Sequence, residues 1–452
     1  MVSSKLLRRL ASDLPNFSAQ MGRASAGTLL NPFAASFWAD PYSQYPTLLC
    51  EPPRLLPLII PVVVVARYRE VVEVLRDHAR FSSTLPELDL LAKLDPFAGA
   101  QTALFSDPPA HTRLRRIIGS YFKPARIGSM APHIQSVADQ LLNRIEGNGE
   151  FDAVGDYAYA LPTAVMAHML GIPPEHQPML RDWSDRVFSS IRERLTTVAA
   201  ILADQLDNAS SNGADWRSAD STIAALEACS PDSNVESSEA LRNYFAEEIS
   251  RRRVAPRDDL ISVLLSARDE AGALNSDELL ALTLLILFAG NETTTNLIAN
   301  GLLALCRHPA AMSRLRRAGD AVMQHAVEEV LRYDSPVQMI RRSCTRDTIL
   351  GGTRVPAGAF VLVLLGAANR DPAQFYAADV FDVGRHPNDH VAFGDGVHAC
   401  IGARLARLQG EIALRSVIER FSRLRLREPD APLKYQGSLL SRGLSSLPMA
   451  IY

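Results

Sequence analysis

The spacing of apolar residues along the chain is mostly helical, and short β-type runs occur near both ends. Val71, Val72 and Leu75 follow a helical period within 68–78, whereas 62–65 is a run of four valines typical of a strand. Asp107, which precedes two prolines, is expected to cap another helix. The same criteria predict short strands over 348–365 and helices over 155–170, 174–191, 238–253, 321–333 and 403–421. We therefore expect a mainly α-helical fold with a minor β component.

The longest predicted helix begins after Asn275, which can cap it together with 276–278, and continues to Cys306. Its first apolar stretch, 279–290, has about twelve residues, whereas a membrane-spanning helix needs roughly 20. We interpret this stretch as a buried core helix, interrupted by the polar run 291–295. Because the N-terminus also lacks the apolar core of a signal peptide, we expect a cytoplasmic protein without a transmembrane segment.

Length and composition leave the number of domains open but exclude several classes of protein. At about 150 residues per domain, 452 residues suggest three domains or one large enzyme domain. The apolar fraction of 47% and the charged fraction of 21% exclude wholesale disorder, and a net charge of −3 gives no support to a nucleic-acid-binding protein. The five cysteines are far apart and odd in number, which favours reduced thiols over a disulfide framework.

Residues 393–402, with the sequence FGDGVHACIG, are the most informative segment of the chain. Glycines let such a loop lie close to a flat group, and the start of the following helix favours a thiolate at Cys400. A thiolate in this position suits a metal ligand or a nucleophile. A zinc site would need more Cys or His neighbours than His398, and no oriented His/Asn pair marks a cysteine protease.

The pattern F-G-x-G-x-H-x-C-x-G resembles the haem-binding loop of the cytochrome P450 family, and three other segments resemble that family in the expected order. Residues 107–115 (DPPAHTRLR) look like the helix that grips a haem propionate in bacterial members. Residues 289–294 (AGNETT) look like its central-helix motif, and 329–332 (EVLR) like its E-x-x-R helix. The resemblance implies a single-domain P450 fold over 51–452, preceded by an N-terminal extension, 1–50, that packs on the core.

The resemblance implies haem b (iron protoporphyrin IX) as the cofactor, with the thiolate of Cys400 as the iron ligand. Phe393 then packs beside the sulfur, and Gly394 and Gly402 let the loop lie against the porphyrin. Two haem propionates need cationic or N–H partners. The resemblance assigns this role to His111, Arg115, Arg342 and His398, with Arg341 as the alternative to its neighbour Arg342.

By the same resemblance, Glu292 and Thr293 are the catalytic residues, on a helix whose Ala289 and Gly290 border the haem. A hydroxyl can hydrogen-bond dioxygen, and a carboxylate can relay the protons that oxygen activation consumes. The Thr293 hydroxyl can also bond the Ala289 carbonyl, and Gly290 leaves room where oxygen would lie. The alternative is a plain polar interruption of a buried helix. An unpaired carboxylate in an apolar core is costly, which favours a function.

The E-x-x-R segment is expected to have a structural role. Glu329 and Arg332 lie three residues apart on one helix face and can pair. Arg385 resembles the third member of the family's Glu–Arg–Arg cluster. We expect this cluster to hold the segment that leads to Cys400, without taking part in catalysis.

The activity implied by the resemblance is that of a haem-thiolate monooxygenase, which activates O2 and inserts one oxygen atom into a hydrophobic small molecule. Hydroxylation or epoxidation in natural-product biosynthesis or catabolism is the main hypothesis. Oxidative coupling, dehydrogenation and a non-catalytic haem-binding helper remain alternatives. The chain has no flavin- or nicotinamide-binding motif and no four-cysteine iron–sulfur spacing, which implies electrons from a ferredoxin or flavodoxin with its reductase. The docking patch for this acidic partner is expected at Arg113, Arg116, Arg404 and Arg407.

Two further regions are assigned by family position. Substrate-facing residues are expected at 84–105, Leu285, Ala289, 337–339 and 439–440, and plain core packing is the alternative for this largely apolar set. Residues 208–237, rich in Ser, Asp, Asn and Ala, look longer than the corresponding link in bacterial members. This probable insertion is interpreted as a mobile lid, a contact surface for a carrier or partner, or a disordered loop.

Overall fold

The computed structural model describes residues 31–56, 58, 61–84, 97, 100–212, 235–269, 272–436 and 440–451. Outside these ranges lie residues 1–30 of the predicted N-terminal extension, most of the predicted insertion 208–237, most of the stretch 84–105, and position 439. Within them, helical residues greatly outnumber strand residues, which confirms the predicted mainly α-helical fold with a minor β component.

The helices range from single turns to rods that cross the molecule. In the described chain the α-helices are α1 (Ala35–Ala39), α2 (Tyr45–Cys50), α3 (Tyr68–Arg76), α4 (Ala110–Gly119), α5 (Pro124–Ser129), α6 (Ala131–Glu146), α7 (Ala160–Met169), α8 (Gln177–Asn212), α9 (Val235–Val254), α10 (Leu260–Ser266), α11 (Ser276–Arg307), α12 (Pro309–Ala318), α13 (Asp320–Tyr333), α14 (Leu365–Ala368) and α15 (Ala403–Arg420). A π-helix occupies Ala153–Ala158, and 3-10 turns occur at Pro174–His176 and Gly396–His398.

The strands are short and form several small sheets. They are β1 (Arg54–Leu56), β2 (Val62–Val65), β3 (Phe81–Ser82), β4 (Glu150–Asp152), β5 (Arg268–Asp269), β6 (Gly272–Ala273), β7 (Met339–Cys344), β8 (Thr348–Leu350), β9 (Thr353–Val355), β10 (Phe360–Leu364), β11 (Leu424–Leu426), β12 (Tyr435–Gln436), β13 (Gly443–Leu444) and β14 (Pro448–Ile451). The largest sheet has the order β1-β2-β10-β7-β3, and a three-stranded sheet has the order β11-β14-β4.

The valine run of β2 lies in the interior of the largest sheet. It pairs with β1 in antiparallel and with β10 in parallel orientation, with Phe360 opposite Val62. All four valines are buried, because Val62 and Val64 pack into one apolar cluster and Val63 and Val65 into another. A strand covered on both faces reads as a continuous apolar run, as this sequence does.

Helix α11 is the central element, and its observed start and length confirm the prediction. The Asn275 side chain accepts the Glu278 N–H at 2.8 Å, and the Glu278 carboxylate accepts the Asn275 N–H at 2.9 Å, which closes a capping box. The helix then continues for 32 residues and packs against α7, α9, α13 and α15. None of the described helices is long and apolar enough to cross a membrane.

Helix α8 is longer than the apolar pattern predicted. The prediction ended it near 191 and began a loop at 208, whereas the helix is unbroken from Gln177 to Asn212. Its second half is held by distant residues: Leu206 packs in one cluster with Phe33 and Leu58, and the Asn31 side-chain amide donates to the Ala203 carbonyl at 3.0 Å. These contacts link α8 to the N-terminal segment, and no local sequence pattern announces them.

Candidate functional site

The glycine-rich loop before α15 is shaped by close backbone contacts. Gly394 and Gly396 have φ values of 70° and 68°, in the region that favours glycine. A Cβ on Gly396 would lie 2.6 Å from the Leu75 carbonyl oxygen at the end of α3, so no other residue fits without rearrangement. The Cys400 N–H donates to the Phe393 carbonyl at 2.8 Å, which closes the loop on itself.

Cys400 is a free thiol that is accessible to solvent although protein surrounds it. Desolvation raises the pKa of Cys400 above its ordinary value. Hydrogen bonds from the Gly402 and Ala403 backbone and the positive charges of Arg115 and Arg407 act in the opposite direction. The predicted helix-start effect is therefore present, but burial outweighs it, and a cation at the sulfur is needed to favour the thiolate.

Two histidines predicted to face the haem are brought together beside this loop. The ring centroids of His111 and His398 are 4.1 Å apart, and both side chains are buried. Within the described residues, both ring nitrogens of His111 and Nε2 of His398 lack hydrogen-bond partners. Burial lowers the pKa of His111, and lowers that of His398 to about 4, which favours the neutral form of both imidazoles.

Two predicted cations border the same pair of rings. Arg342 is buried, and desolvation lowers its pKa to about 10, with Asp107 opposing this shift. Its charge also adds to the lowering of both histidine pKa values. The Arg115 guanidinium donates to the Ala399 carbonyl, next to Cys400. Buried N–H groups and guanidinium groups without an anion are costly, so this cluster fits the carboxylates of a haem.

The choice between Arg341 and Arg342 follows from strand alternation in β7. Arg341 points the other way: its guanidinium donates to the Thr84 carbonyl at 3.1 Å and lies 5.2 Å from the centre of the Phe360 ring. Successive side chains of a strand face opposite sides, so the two arginines cannot both face the histidines. Of the two arginines, Arg342 is the one whose charge contributes to the lowered pKa values of His111 and His398.

Asp107 does not cap α4 as predicted. That helix begins at Ala110 without a side-chain cap. The Asp107 carboxylate instead accepts the Ser83 N–H at 3.0 Å and the Thr84 hydroxyl at 3.1 Å, and Oδ1 lies 3.6 Å from Nε2 of His398. The carboxylate therefore joins the end of β3 to the histidine cluster.

The polar run of α11 presents Glu292 and Thr293 as partly exposed residues on an otherwise buried helix. The Thr293 hydroxyl donates to the Ala289 carbonyl at 2.9 Å, which confirms the predicted bond, and the helix remains continuous. Glu292 is not unpaired, contrary to the premise of the sequence argument. The Ser441 hydroxyl donates to its Oε1 at 2.6 Å.

Gly290 has a packing reason that sequence reasoning missed. A Cβ at this position would lie 2.5 Å from the sulfur of Met166 on α7, so a side chain here would have to displace the end of Met166. Its neighbour Asn291 is buried and accepts the Thr163 hydroxyl at 3.0 Å, also on α7. Ala289, which precedes Gly290, is exposed, and the space for oxygen at Gly290 stays a prediction.

The predicted Glu329–Arg332–Arg385 cluster forms. Glu329 and Arg332 are fully buried and joined by two bonds of 2.8 Å, and Arg385 Nε lies 3.1 Å from Glu329. Arg332 also donates to the carbonyls of Asn369 and Ala378. Asn388, which sequence reasoning missed, donates to Glu329 at 3.2 Å. The cluster thereby ties the segment before the cysteine loop to α13.

Two residues of the predicted docking patch are engaged inside the protein. Arg113 forms an ion pair with Glu278 at 2.6 Å. Arg407 pairs with Glu328 at 2.6 Å, and its guanidinium lies 4.6 Å from the centre of the Phe393 ring. The other two, Arg116 and Arg404, are exposed, and no ion pair joins them to any residue that the structure describes.

Part of the predicted substrate-facing set belongs to the core. Met339 is fully buried in the cluster that contains Leu364, and Gln338 donates to the Ser335 carbonyl at 2.8 Å. Met339 pairs with Leu364 of β10, and the Gln338 carbonyl accepts the Gly366 N–H at 3.0 Å, so both residues belong to the folded core. Ala289 and Leu440 remain exposed, and Leu285 is partly buried.

Comparison with known proteins agrees with the resemblance seen in the sequence over nearly the whole chain. The family model described as Cytochrome P450 matches residues 53–446. Vitamin D(3) 25-hydroxylase of Pseudonocardia autotrophica is 34% identical over 426 residues, covering 93% of this chain and 96% of that protein. 6-deoxyerythronolide B hydroxylase of Saccharopolyspora erythraea is 33% identical over 347 residues, covering 77% and 76%.

The fold agrees as well. The crystal structure of P450BioI in complex with hexadec-9Z-enoic acid ligated acyl carrier protein is similar with a TM-score of 0.76 at 31% identity, covering 92% of this chain and 99% of that one. Sequence and fold thus lead to the same assignment, which includes the cysteine loop within the matched range. The chain belongs to the cytochrome P450 family, whose members are monooxygenases that bind haem b through a cysteine thiolate.

Proposed function

We propose that this P450 hydroxylates a hydrophobic small molecule, with electrons from a separate redox protein. The reaction consumes the substrate C–H, O2, two electrons and two protons, and yields the hydroxylated product and water. The observation that carries the proposal is the buried imidazole pair His111 and His398 beside Arg342 and the Cys400 loop, in which neither ring nitrogen of His111 has a hydrogen-bond partner among the described residues. Such a cluster is costly unless an anionic group accepts its hydrogen bonds.

In this proposal Cys400 holds the haem iron, and His111, Arg115, Arg342 and His398 hold its propionates. The bound haem supplies the iron at which O2 is activated. The Arg115 and Arg407 charges and two backbone N–H groups stabilise the negative sulfur, while the ring of Phe393 and the glycines Gly394 and Gly402 form its surroundings. Burial by itself favours the neutral thiol of Cys400, and the positive charge of the iron would stabilise the thiolate instead.

Thr293 and Glu292 are proposed to hold and deliver protons on the side of the haem opposite Cys400. The Thr293 hydroxyl has one proton, which it donates to the Ala289 carbonyl at rest and can redirect towards O2. The Glu292 carboxylate is partly exposed, so it can take up a proton from water and pass it on. Ala289 borders the same surface and leaves space for O2.

A hydrophobic substrate is supported by the residues available to it. The exposed Leu440 and the partly buried Leu285 offer apolar contact. One similar protein is named for vitamin D(3), and another was crystallised in complex with hexadec-9Z-enoic acid ligated acyl carrier protein. We propose a natural-product or fatty-acyl compound of this kind, used in secondary metabolism or catabolism.

The electron donor is proposed to be a ferredoxin or flavodoxin with its reductase, in the cytoplasm. An acidic partner needs exposed cations, and Arg116 and Arg404 meet this requirement. Arg113 and Arg407 are neutralised by internal carboxylates and are left out of the proposed patch. The described cysteines are free thiols, in keeping with a reducing compartment.

The carbon monoxide spectrum of the reduced holoenzyme tests the central assignment. A strongly red-shifted Soret band is expected for the wild-type protein and for Cys306→Ala, which removes another free thiol. The band should be lost in Cys400→Ala. A red-shifted band that survives in Cys400→Ala would refute Cys400 as the ligand.

A further inference from the structure

We propose that Ser441 is a positioning residue for the proton-donating carboxylate of Glu292. Its hydroxyl donates to Oε1 of Glu292 at 2.6 Å, across 149 residues of sequence, in a partly buried setting. The inference deepens the proposed function and rests on the role of Glu292 stated there. A hydrogen bond to a carboxylate is stronger than one between neutral groups, so it can select one orientation of a flexible side chain.

The backbone on both sides of Ser441 is hydrogen-bonded to the segment 336–338. Ser441 pairs with Val337 in an isolated β-bridge. The Gln338 N–H donates to the Leu440 carbonyl at 2.8 Å, and the Arg442 N–H donates to the Pro336 carbonyl at 2.9 Å. The hydroxyl therefore starts from a rigid support, as a positioning group must.

The support continues into a buried network. The Arg442 side chain is buried, lies 3.4 Å from Asp334 and donates to the Trp38 carbonyl at 3.1 Å. The Asn300 side chain of α11 donates to the Arg442 carbonyl at 3.3 Å. The segment that carries Ser441 is thus attached to the same helix that carries Glu292, which fixes the separation of the two residues.

This geometry assigns different tasks to the two carboxylate oxygens. Oε1 is occupied by the Ser441 hydroxyl, so a proton is carried at Oε2 and delivered from there. Without the hydroxyl, the side chain can rotate and offer either oxygen in several directions. Proton delivery then loses its fixed origin, and more O2 is released as peroxide before the substrate is oxidised.

The C-terminal segment also provides a matched control. Ser445 lies four residues further on, and its hydroxyl donates to the Lys434 carbonyl at 3.0 Å in an exposed position. Ser445→Ala removes a hydroxyl bond of the same segment without touching Glu292. Ser441→Thr and Ser441→Val form a second matched pair, because they have the same shape and differ in the hydroxyl.

The experiment measures the fraction of electrons released as hydrogen peroxide by the holoenzyme with a surrogate ferredoxin and reductase. It is run without substrate and with hexadec-9Z-enoic acid as the probe. We expect Ser441→Val to raise the peroxide fraction about two- to tenfold and to change the solvent isotope effect on O2 consumption, with Ser441→Thr and Ser445→Ala close to wild type. The carbon monoxide spectrum of each variant verifies that the haem is retained.

The outcomes separate the inference from the function on which it rests. If Glu292→Gln raises the peroxide fraction and Ser441→Val does not, Ser441 has no positioning role and the proposed function stands. If Glu292→Gln behaves as wild type, the role of Glu292 fails and the inference with it.

A thermal double-mutant cycle gives a readout without turnover. The decreases in melting temperature for Ser441→Val and Glu292→Leu should not add in the double variant, because each removes one partner of the same hydrogen bond. Additive decreases would show that the two side chains do not interact and would overturn the inference.

Discussion

The two sides of the proposed haem site are built from different interactions. On the cysteine side, charged groups are locked together: Arg407 pairs with Glu328 at 2.6 Å, His390 lies 3.1 Å from the same carboxylate, and Arg407 covers the Phe393 ring. On the helix side, hydroxyls make the contacts: Thr293 bonds the Ala289 carbonyl. We call the first set, residues 393–402 with Glu328, His390 and Arg407, the cysteine side, and the second, 289–293 with Ser441, the helix side.

The difference follows from what each side has to do. A metal ligand must keep one geometry, and partly buried ion pairs with several hydrogen bonds resist displacement. Proton delivery needs bonds that exchange, and a hydroxyl can rotate from one acceptor to another at little cost. We therefore expect changes on the cysteine side to alter stability, and changes on the helix side to alter the outcome of the reaction while the fold is kept.

The largest effect is expected behind the cysteine side, at the buried pair of Glu329 and Arg332. Arg332→Ala leaves Glu329 as an uncompensated buried charge, which should lower the free energy of unfolding by about 3–5 kcal/mol in denaturant titrations. The control is Arg314→Ala, which breaks a half-exposed pair with Asp382 and should cost less than about 1 kcal/mol. Equal losses in the two variants would contradict this account.

Glu328 is expected to make stability depend on pH. Burial alone would raise the pKa of Glu328, but hydrogen bonds from His390 and Arg407 outweigh it and lower the pKa to about 2. A carboxyl with a depressed pKa stabilises the fold above its unfolded value near 4.5, and this contribution is lost as pH falls towards about 2. At neutral pH the contribution is at most roughly 3 kcal/mol.

The test compares Glu328→Gln with wild type at several pH values. The difference in unfolding free energy should be largest near pH 7 and should shrink as the pH falls below 4.5. Glu247→Gln, which affects an exposed pair with Arg251, serves as the control and should show little difference at any pH. A gap between Glu328→Gln and wild type that is independent of pH would exclude this role of Glu328.

On the helix side, Thr293→Val should change the reaction more than the stability. We expect product per electron pair to fall about tenfold and peroxide to rise, because proton delivery loses a group in hydrogen-bond reach. The unfolding free energy should change by less than about 1 kcal/mol, since one neutral hydrogen bond is removed.

Thr283→Val is the matched control, because its hydroxyl bonds the Leu279 carbonyl at 2.8 Å on the same helix in the same i−4 pattern. It should leave peroxide release unchanged. Similar peroxide release from both variants would mean that the Thr293 hydroxyl only bonds the helix backbone and has no role in proton delivery.

The smallest effect is expected at two exposed charges outside both sides, Arg116 on α4 and Arg404 on α15. Arg116→Glu combined with Arg404→Glu should slow reduction by an acidic ferredoxin several-fold at low salt, and the difference should vanish at high salt. Stopped-flow reduction under carbon monoxide measures it, with Arg253→Glu, an exposed charge at the end of α9, as the control. Unchanged rates for the double variant at low salt would remove these residues from the docking patch.

Much of the local structure could be predicted, because it depends on residues close in sequence. The capping box at Asn275, the valine strand β2 and the pair of Glu329 with Arg332 each involve groups at most four residues apart. The length of α8 could not be predicted, because its second half is stabilised by the N-terminal segment, about 170 residues away by the spacing of the Asn31 and Ala203 bond. The cap expected at Asp107 did not form, because the carboxylate accepts hydrogen bonds from Ser82 of β3 and from Ser83, which follows it.

The sequence by itself determined the family, the helical fold and the candidate ligand Cys400, because the spacing of glycines, polar runs and apolar faces is a local property of the chain. Tertiary structure decided which partner each charge has. Arg407 meets Glu328 from 79 residues away, and Glu292 meets Ser441 from 149 residues away. Such pairs depend on how distant elements pack, and a side chain's reach is only a few ångströms, so no spacing in the sequence can announce them.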